Sequence, residues 1–334
     1  MKRRNLLKLG TLAGVALAAP PLLSSAADAP RKIAVPERLR MDYAYYSPTS
    51  LVLKHFGWLE AALKPQGTEV TWVLSAGSNR ALEYLAGNSI DFASTAGLAA
   101  LLGRANGNPV KSIYVYSRPE WVALVVGKQS PIQRVAELKG KRVAATKGTD
   151  AYLFLLRALH EVGLHRNDVE IVHLQHPDGR IALERGNVDA WAGLDPHMAA
   201  SQLEAGSRLL YRNVAFNSYG FLNTSDKFAA AYPEQIPLVL QAYEKARRWA
   251  IAHPQALAKL IAEQARLSVP VAQLQLQRTD LSQPVIGAEQ LAALRSAAPI
   301  LLEEGLVRPG TDLTQVLGTL IDPRYATRAR VVQG

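Results

Sequence analysis

Short runs rich in β-branched and aromatic residues alternate with amphipathic segments from residue 39 to about residue 225. The runs Leu39–Tyr46, Glu69–Ser75, Ser89–Thr95, Ser112–Tyr116, Trp121–Gly127, Arg142–Thr146, Glu170–Gln175 and Val188–Gly193 are predicted strands. Between most of them the apolar positions recur at helical spacing, which predicts helices over Thr49–Leu63, Asn79–Ala86, Gly97–Ala105, Asp150–Val162 and Gly179–Arg185. A strand that is followed by a helix cannot close a hairpin, so the alternation predicts an α/β body of parallel sheets with helices on their faces. From Tyr232 to Leu306 the pattern becomes helical, in Pro237–Ile261 and Ala288–Leu302, with breaks at Pro254, Pro270 and Pro284. This is an α tail closing over the α/β body.

One internal echo refines that picture. Ala81-Leu82-Glu83-Tyr84-Leu85-Ala86-Gly87-Asn88-Ser89-Ile90-Asp91-Phe92 is matched 101 positions later by Ala182-Leu183-Glu184-Arg185-Gly186-Asn187-Val188-Asp189-Ala190. Both read as a helix, a Gly-Asn turn and a strand opened by an apolar residue and Asp, the glycine supplying the left-handed cap. Two α/β lobes of similar build place a ligand in the cleft between them. Several predicted strands end in small polar turns that open a helix: Ala76-Gly77-Ser78, Ala96-Gly97, and Lys147-Gly148-Thr149-Asp150. Ser78 and Thr149 are placed as N-caps. First-turn N–H groups at such helix starts bind anions without a side-chain charge.

Composition removes whole classes of chemistry. The 334 residues contain no cysteine, which excludes disulfides, thiolate-held metals and thiol nucleophiles. No Walker loop, dinucleotide glycine triad, Gly-x-Ser-x-Gly elbow or His-Glu-x-x-His helix occurs. His173 and His176 stand three apart at a strand end and face opposite sides, so no metal site is expected there; His176 could border the cleft. We expect no cofactor and no metal. The formal charge is +10, but Lys and Arg are dispersed, with no dense basic run beyond the first eight residues, and no nucleic-acid partner is expected. That basic start, Lys2, Arg3, Arg4 and Lys8, precedes an apolar stretch from Leu9 to Leu23 and small residues at Ser24–Ala29. It predicts a cleaved export signal over residues 1–29, with Arg3-Arg4-Asn5-Leu6-Leu7-Lys8 fitting the twin-arginine pattern as well as a general secretory one. No later stretch is apolar for long enough to span a bilayer.

An ordered set of segments resembles a known family. Ala76-Gly77-Ser78, Ser89-Ile90-Asp91-Phe92-Ala93-Ser94-Thr95, Ser130-Pro131-Ile132, Leu138-Lys139-Gly140-Lys141-Arg142-Val143, Lys147-Gly148-Thr149, Val188-Asp189-Ala190-Trp191 and Asp195-Pro196 keep the spacing of the substrate-binding proteins of ABC importers for sulfonates, taurine and nitrate. Over residues 39 to 320 the chain is most similar to the aliphatic-sulfonate group. The resemblance implies a two-lobed periplasmic binding protein fold (type II), with two α/β lobes joined by two crossing hinge strands. The first crossing is expected near Arg118–Trp121 and the return near Asn213–Asn217, giving lobe one as 38–118 plus 217–334 and lobe two as 119–216.

The same resemblance implies a small organic anion, a sulfonate, as ligand, an ABC permease as partner, a monomeric periplasmic protein and no catalysis. Taurine, nitrate or a thiamin-pyrimidine precursor are the alternative solutes, and a secreted enzyme on the same scaffold is the alternative class. Tyr45, Tyr46 and Ser47 fall where family members contact ligand, the tyrosines offering a wall for its organic part. Gly77, Ser78, Ser94 and Thr95 are expected to present donors from lobe one, and Gly148 and Thr149 from lobe two. Trp191 is expected to line the cleft, Asp195 to cap a helix or touch ligand, and Arg278 to grip the oxyanion through its forked N–H donors. Arg118 and Arg80 are weaker candidates of the same kind.

Overall fold

The structure, a computed structural model, describes residues 34–329. The expected export signal over residues 1–29 lies outside the described residues. Eleven strands are described: β1 (Arg38–Tyr43), β2 (Glu69–Leu74), β3 (Phe92–Ala96), β4 (Val110–Pro119), β5 (Val122–Val126), β6 (Arg142–Ala145), β7 (Glu170–His173), β8 (Ala190–Leu194), β9 (Arg208–Tyr211), β10 (Gly220–Ser225) and β11 (Thr279–Asp280). They form a six-stranded sheet in the order β11-β4-β10-β3-β1-β2 and a five-stranded sheet in the order β7-β6-β8-β5-β9.

Both sheets are mixed, where the alternation alone predicts parallel ones. β1 runs parallel to β2 and β3, and β6 runs parallel to β7 and β8. β10 lies antiparallel between β3 and β4, and β5 lies antiparallel between β8 and β9. The physical reason is connectivity: β5 and β10 are the strands by which the chain enters one sheet after leaving the other, so the helix-crossover rule does not govern them. Three predicted helical stretches are each two helices, one of them at the expected Pro254 break and another, Ala288–Leu302, at Pro299. Gly57, at φ 61°, ends Pro48–Phe56 and starts Trp58–Leu63, while His253 and Pro254 divide Gln235–Ala252 from Pro254–Ala265. The expected strand over Ser89–Thr95 begins only at Phe92, because Asn88 turns at φ 53° and Asp91 is tied across to Arg40.

The two passages between sheets, 120–121 and 212–219, are fastened to each other. The Val122 N–H donates to Asn217 Oδ1 at 2.9 Å. The buried Asp150 carboxylate accepts from Trp121 Nε1 at 2.9 Å, from the Ser218 N–H at 3.0 Å and from Ser218 Oγ at 2.7 Å. Burial raises the Asp150 pKa even against those three donors. A carboxylate at the start of the helix Asp150–Glu161 thus holds both crossing segments.

Candidate functional site

Where the C-terminal edges of the two sheets face one another they enclose a cavity of about 100 Å³. Tyr45, Tyr46, Leu74, Ser75 and Ala76, following β1 and β2, form one wall. Pro177, Leu194, Asp195, Pro196 and His197, at the ends of β7 and β8, form the other. The space is small, which suits a compact solute and not a large one.

Gly77 and Gly148 lie outside the cavity lining, but each lets loops of the two sheets come close beside it. A Cβ on Gly77 would stand 2.9 Å from Asn79 Oδ1 and 3.3 Å from the ring of His176, and one on Gly148 would stand 3.5 Å from Asn79 Cβ. Gly148 also adopts φ 78°, which a side chain would strain. No side chain caps the helix Ser78–Ala86, and none caps Asp150–Glu161, so the first-turn N–H groups of both are not consumed by caps. Ser47 Oγ, Thr49 Oγ1, Asn79 Oδ1 and His176 Nε2 are buried without a hydrogen-bond partner among the described residues. Such groups are costly unless something binds them.

His176 is held in one tautomer. Thr146 Oγ1 gives its proton to the Leu174 carbonyl at 2.7 Å, so towards His176 Nδ1, at 3.2 Å, it accepts. The ring proton therefore sits on Nδ1, and Nε2 is left as a bare acceptor beside Gly77. Burial, with a smaller contribution from His197, pushes the His176 pKa down to about 3; burial, then Arg180, pushes His197 down to about 4. Both imidazoles are neutral near pH 7.

Of the candidates, Tyr45, Tyr46 and Asp195 line the cavity. Tyr46 donates its hydroxyl to the Ser94 carbonyl at 3.0 Å and packs edge-on against Trp121, so it offers the cavity its ring and not its O–H. Ser47 adjoins it with its hydroxyl unpaired.

Other candidates are turned to different work. Ser78 does not cap its helix: Gly77 takes that position, and Ser78 Oγ accepts from the Ala96 N–H at 3.0 Å. Ser94 gives its N–H and hydroxyl to the buried Asp42 carboxylate, whose pKa burial raises to about 6, and Thr95 Oγ1 accepts from Asn223 at 2.8 Å. Their side chains belong to the interior of the six-stranded sheet because β3 is covered on both sides. Thr149 occupies its N-cap position, but its hydroxyl donates to the Thr146 carbonyl at 2.7 Å.

Two candidates are corrected outright. Trp191 does not line the cavity: it is fully buried among Ala123, Val125, Ala144 and Met198, and a Cβ on Gly179 would stand 2.6 Å from its Nε1. Position 191 lies in the middle of the five-stranded sheet on the face covered by the helix His176–Glu184. Arg278 is not aimed into the cavity as an unpaired cation. Its Nη1 lies 3.2 Å from Asp195 Oδ2 and its Nη2 donates to Gln202. The pair is buried, Asp195 at 1% and Arg278 at 10% side-chain exposure, and the nearest anion captures the guanidinium. Asp195 also accepts from the Ala199 N–H at 2.8 Å, yet burial still lifts its carboxyl to about 6. Arg118 and Arg80 are occupied by Glu289 and Glu83 on the surface. Asn79 and His197 were not foreseen, although each immediately follows a segment that was.

The family described as NMT1/THI5 like matches residues 57–257. A relative from Escherichia coli (strain K12), named as an aliphatic sulfonates-binding protein, is 31% identical over 315 residues, which is 93% of this chain and 96% of the relative. The chain belongs to the NMT1/THI5-like family. Among solved structures, this NMT1/THI5-like chain is similar to the alkanesulfonate-binding protein SsuA from Xanthomonas axonopodis pv. citri bound to MOPS, with a TM-score of 0.78 and 26% identity over 85% of this chain and 98% of that one. The desulfurization enzyme DSZB has a TM-score of 0.62 at 19% identity over 88% of this chain and 98% of that one, a likeness of fold alone. Among the described residues no helix is long and apolar enough to cross a membrane.

Proposed function

We propose that the chain is the periplasmic solute-binding component of an ABC importer and captures a small aliphatic sulfonate, with no chemistry performed on it. The observation that carries this reading is a pocket walled by both sheets, in a chain alike over nearly its whole length to a sulfonates-binding protein. Lobe one is 38–118 plus 217–334 and lobe two is 119–216, and the solute is held when they close. Ser47 and the uncapped N-termini at Gly77-Ser78 and Gly148-Thr149 supply neutral donors to the sulfonate oxygens, and the rings of Tyr45 and Tyr46 line its carbon part. Arg278 and Asp195 act as a clasp between the lobes. Binding rather than turnover is supported by the absence of cysteine, which closes thiol-dependent routes. The mature chain is a monomer, exported by its 1–29 signal, that delivers ligand to a permease.

Native mass spectrometry of the chain purified from a periplasm tests this. One adduct of alkanesulfonate mass per chain supports the reading. A nitrate, taurine or pyrimidine-precursor mass overturns the ligand and keeps the binding role; sulfite released from an added sulfonate overturns the binding role. A chain that takes up none of these after incubation overturns both.

A further inference from the structure

A second cluster of chemistry-bearing side chains lies away from the cavity. The helix Asp150–Glu161 begins at the passages between the sheets, where Asp150 holds Trp121 and Ser218, and His160, ten residues on, stands about 15 Å further along its axis. The chain then reverses at Gly163, with φ 73°, and brings His165 back beside His160, the two rings 4.6 Å apart at 85°. Facing them is Glu304, just past the helix Pro299–Glu303 of the C-terminal segment, with its side chain only 3% exposed.

Three atoms converge there. His160 Nε2 lies 2.7 Å from Glu304 Oε1, His165 Nδ1 lies 3.6 Å from the same oxygen, and the two nitrogens are 3.1 Å apart. Each neutral imidazole can turn an N–H towards Glu304 Oε1, but only the His160 contact is at hydrogen-bond distance, so His165 Nδ1 is crowded against His160 Nε2 without a good partner of its own. A divalent cation satisfies all three, because ligand atoms each about 2.0 Å from a tetrahedral ion stand about 3.3 Å from one another. The outer ring of contacts has the matching form. His160 Nδ1 is 3.3 Å from Glu303 Oε2, the carboxylate-to-imidazole arrangement that orients a ligating histidine. Arg166 Nε lies 3.7 Å from Glu304 Oε2, a loose ion-pair distance on the side of the carboxylate away from the histidines.

We propose that His160, His165 and Glu304 bind one zinc-class divalent cation, with Glu303 as the orienting partner of His160. His165 is 63% exposed, so the fourth position opens to solvent and takes water. Two imidazoles and one carboxylate are ligands for late first-row ions and not for calcium or magnesium. The ion ties the helix that packs on β5, β8 and β6 to the helices that follow β11, so it bridges the two parts of the fold on the side remote from the cavity.

The test uses the full mature chain. Calorimetric titration with Zn²⁺ is expected to give one ion per chain, and Co²⁺ is expected to give the intense visible absorption of a four-coordinate site. His165→Ala, at an exposed position that leaves packing intact, is expected to weaken Zn²⁺ by more than about 100-fold, and Glu303→Gln by about 10-fold to 100-fold. His173→Ala, outside the cluster, is the control and is expected to change nothing. Unaltered zinc affinity in a folded His165→Ala chain, a weak octahedral Co²⁺ spectrum, or no uptake of either ion overturns the proposal.

Discussion

Removing Arg278 leaves the Asp195 carboxylate buried with a single remaining donor, the Ala199 N–H. Breaking one side of a buried ion pair costs about 3–5 kcal/mol, chiefly because the surviving charge is stranded. The loss is capped, since Asp195 can instead take up a proton, and burial has already raised its pKa to about 6 with the arginine in place. A cheaper escape exists, because the two partners come from opposite walls of the cleft: opening returns Asp195 to water without unfolding either sheet. Arg278→Met is therefore expected to shift the balance of closed to open chain by about 100-fold, the equivalent of roughly 3 kcal/mol. Small-angle scattering of the ligand-free protein is expected to show a larger radius of gyration, and calorimetry a sulfonate affinity lowered by a similar factor. The second variant Asp195→Asn removes the stranded charge, so Asp195→Asn with Arg278→Met is expected to recover most of the compaction. If Arg278→Met scatters like the parent and binds sulfonate equally well, the clasp is not a clasp and this reasoning fails.

Three further outcomes are expected. Gly77→Ala places a methyl 2.9 Å from Asn79 Oδ1 and 3.3 Å from the His176 ring, so ligand affinity drops by at least about tenfold while urea stability changes by less than about 1 kcal/mol; unchanged affinity would place the cleft elsewhere. His176 has a folded pKa of about 3, well below its unfolded value, so its stabilising contribution is complete above the unfolded value of about 6.5 and is lost as pH falls towards 3. Asp42 and Asp195, raised to about 6, act oppositely in both proteins, so His176→Gln should lose roughly 3 kcal/mol less than the parent between pH 6.5 and 4 in urea titrations; parallel curves would refute the buried neutral ring. Gly179→Ala drives a methyl to 2.6 Å from Trp191 Nε1 and is expected to cost about 1–3 kcal/mol with ligand-induced fluorescence unchanged, whereas an altered ligand response would return Trp191 to the cleft.

The strands and helices were legible because each had its own period: eight predicted strands overlap observed ones, and Gly97–Ala105 matches its helix at both ends. β9, β10 and β11 escaped: β11 has two residues, too few to show alternation, and β9, no shorter than the predicted β6 and β7, lacks the β-branched residues that mark strands. The chain's return from one sheet to the other could not be read from periodicity at all, which is why both sheets hold antiparallel strands that the alternation did not predict. At the candidate site, the strand ends after β1 and β8 bring Tyr45, Tyr46 and Asp195 to one cavity, while the glycine turns at Gly77 and Gly148 lie outside its lining. What failed was the direction of side chains. Ser94, Thr95 and Trp191 sit on strands covered on both faces, and a strand's pattern does not say which covering layer a residue meets. Arg278 failed differently: a pair 83 residues apart in sequence is invisible until the fold brings Asp195 to it.

Calorimetric titration of the mature chain with short alkanesulfonates, with sulfate and nitrate run in parallel, tests the central claim most directly. The account predicts saturation at one sulfonate per chain, tighter than either inorganic anion because only the sulfonate also buries carbon against Tyr45 and Tyr46. Sulfate or nitrate binding as tightly as every sulfonate, or no heat from any sulfonate, would contradict it.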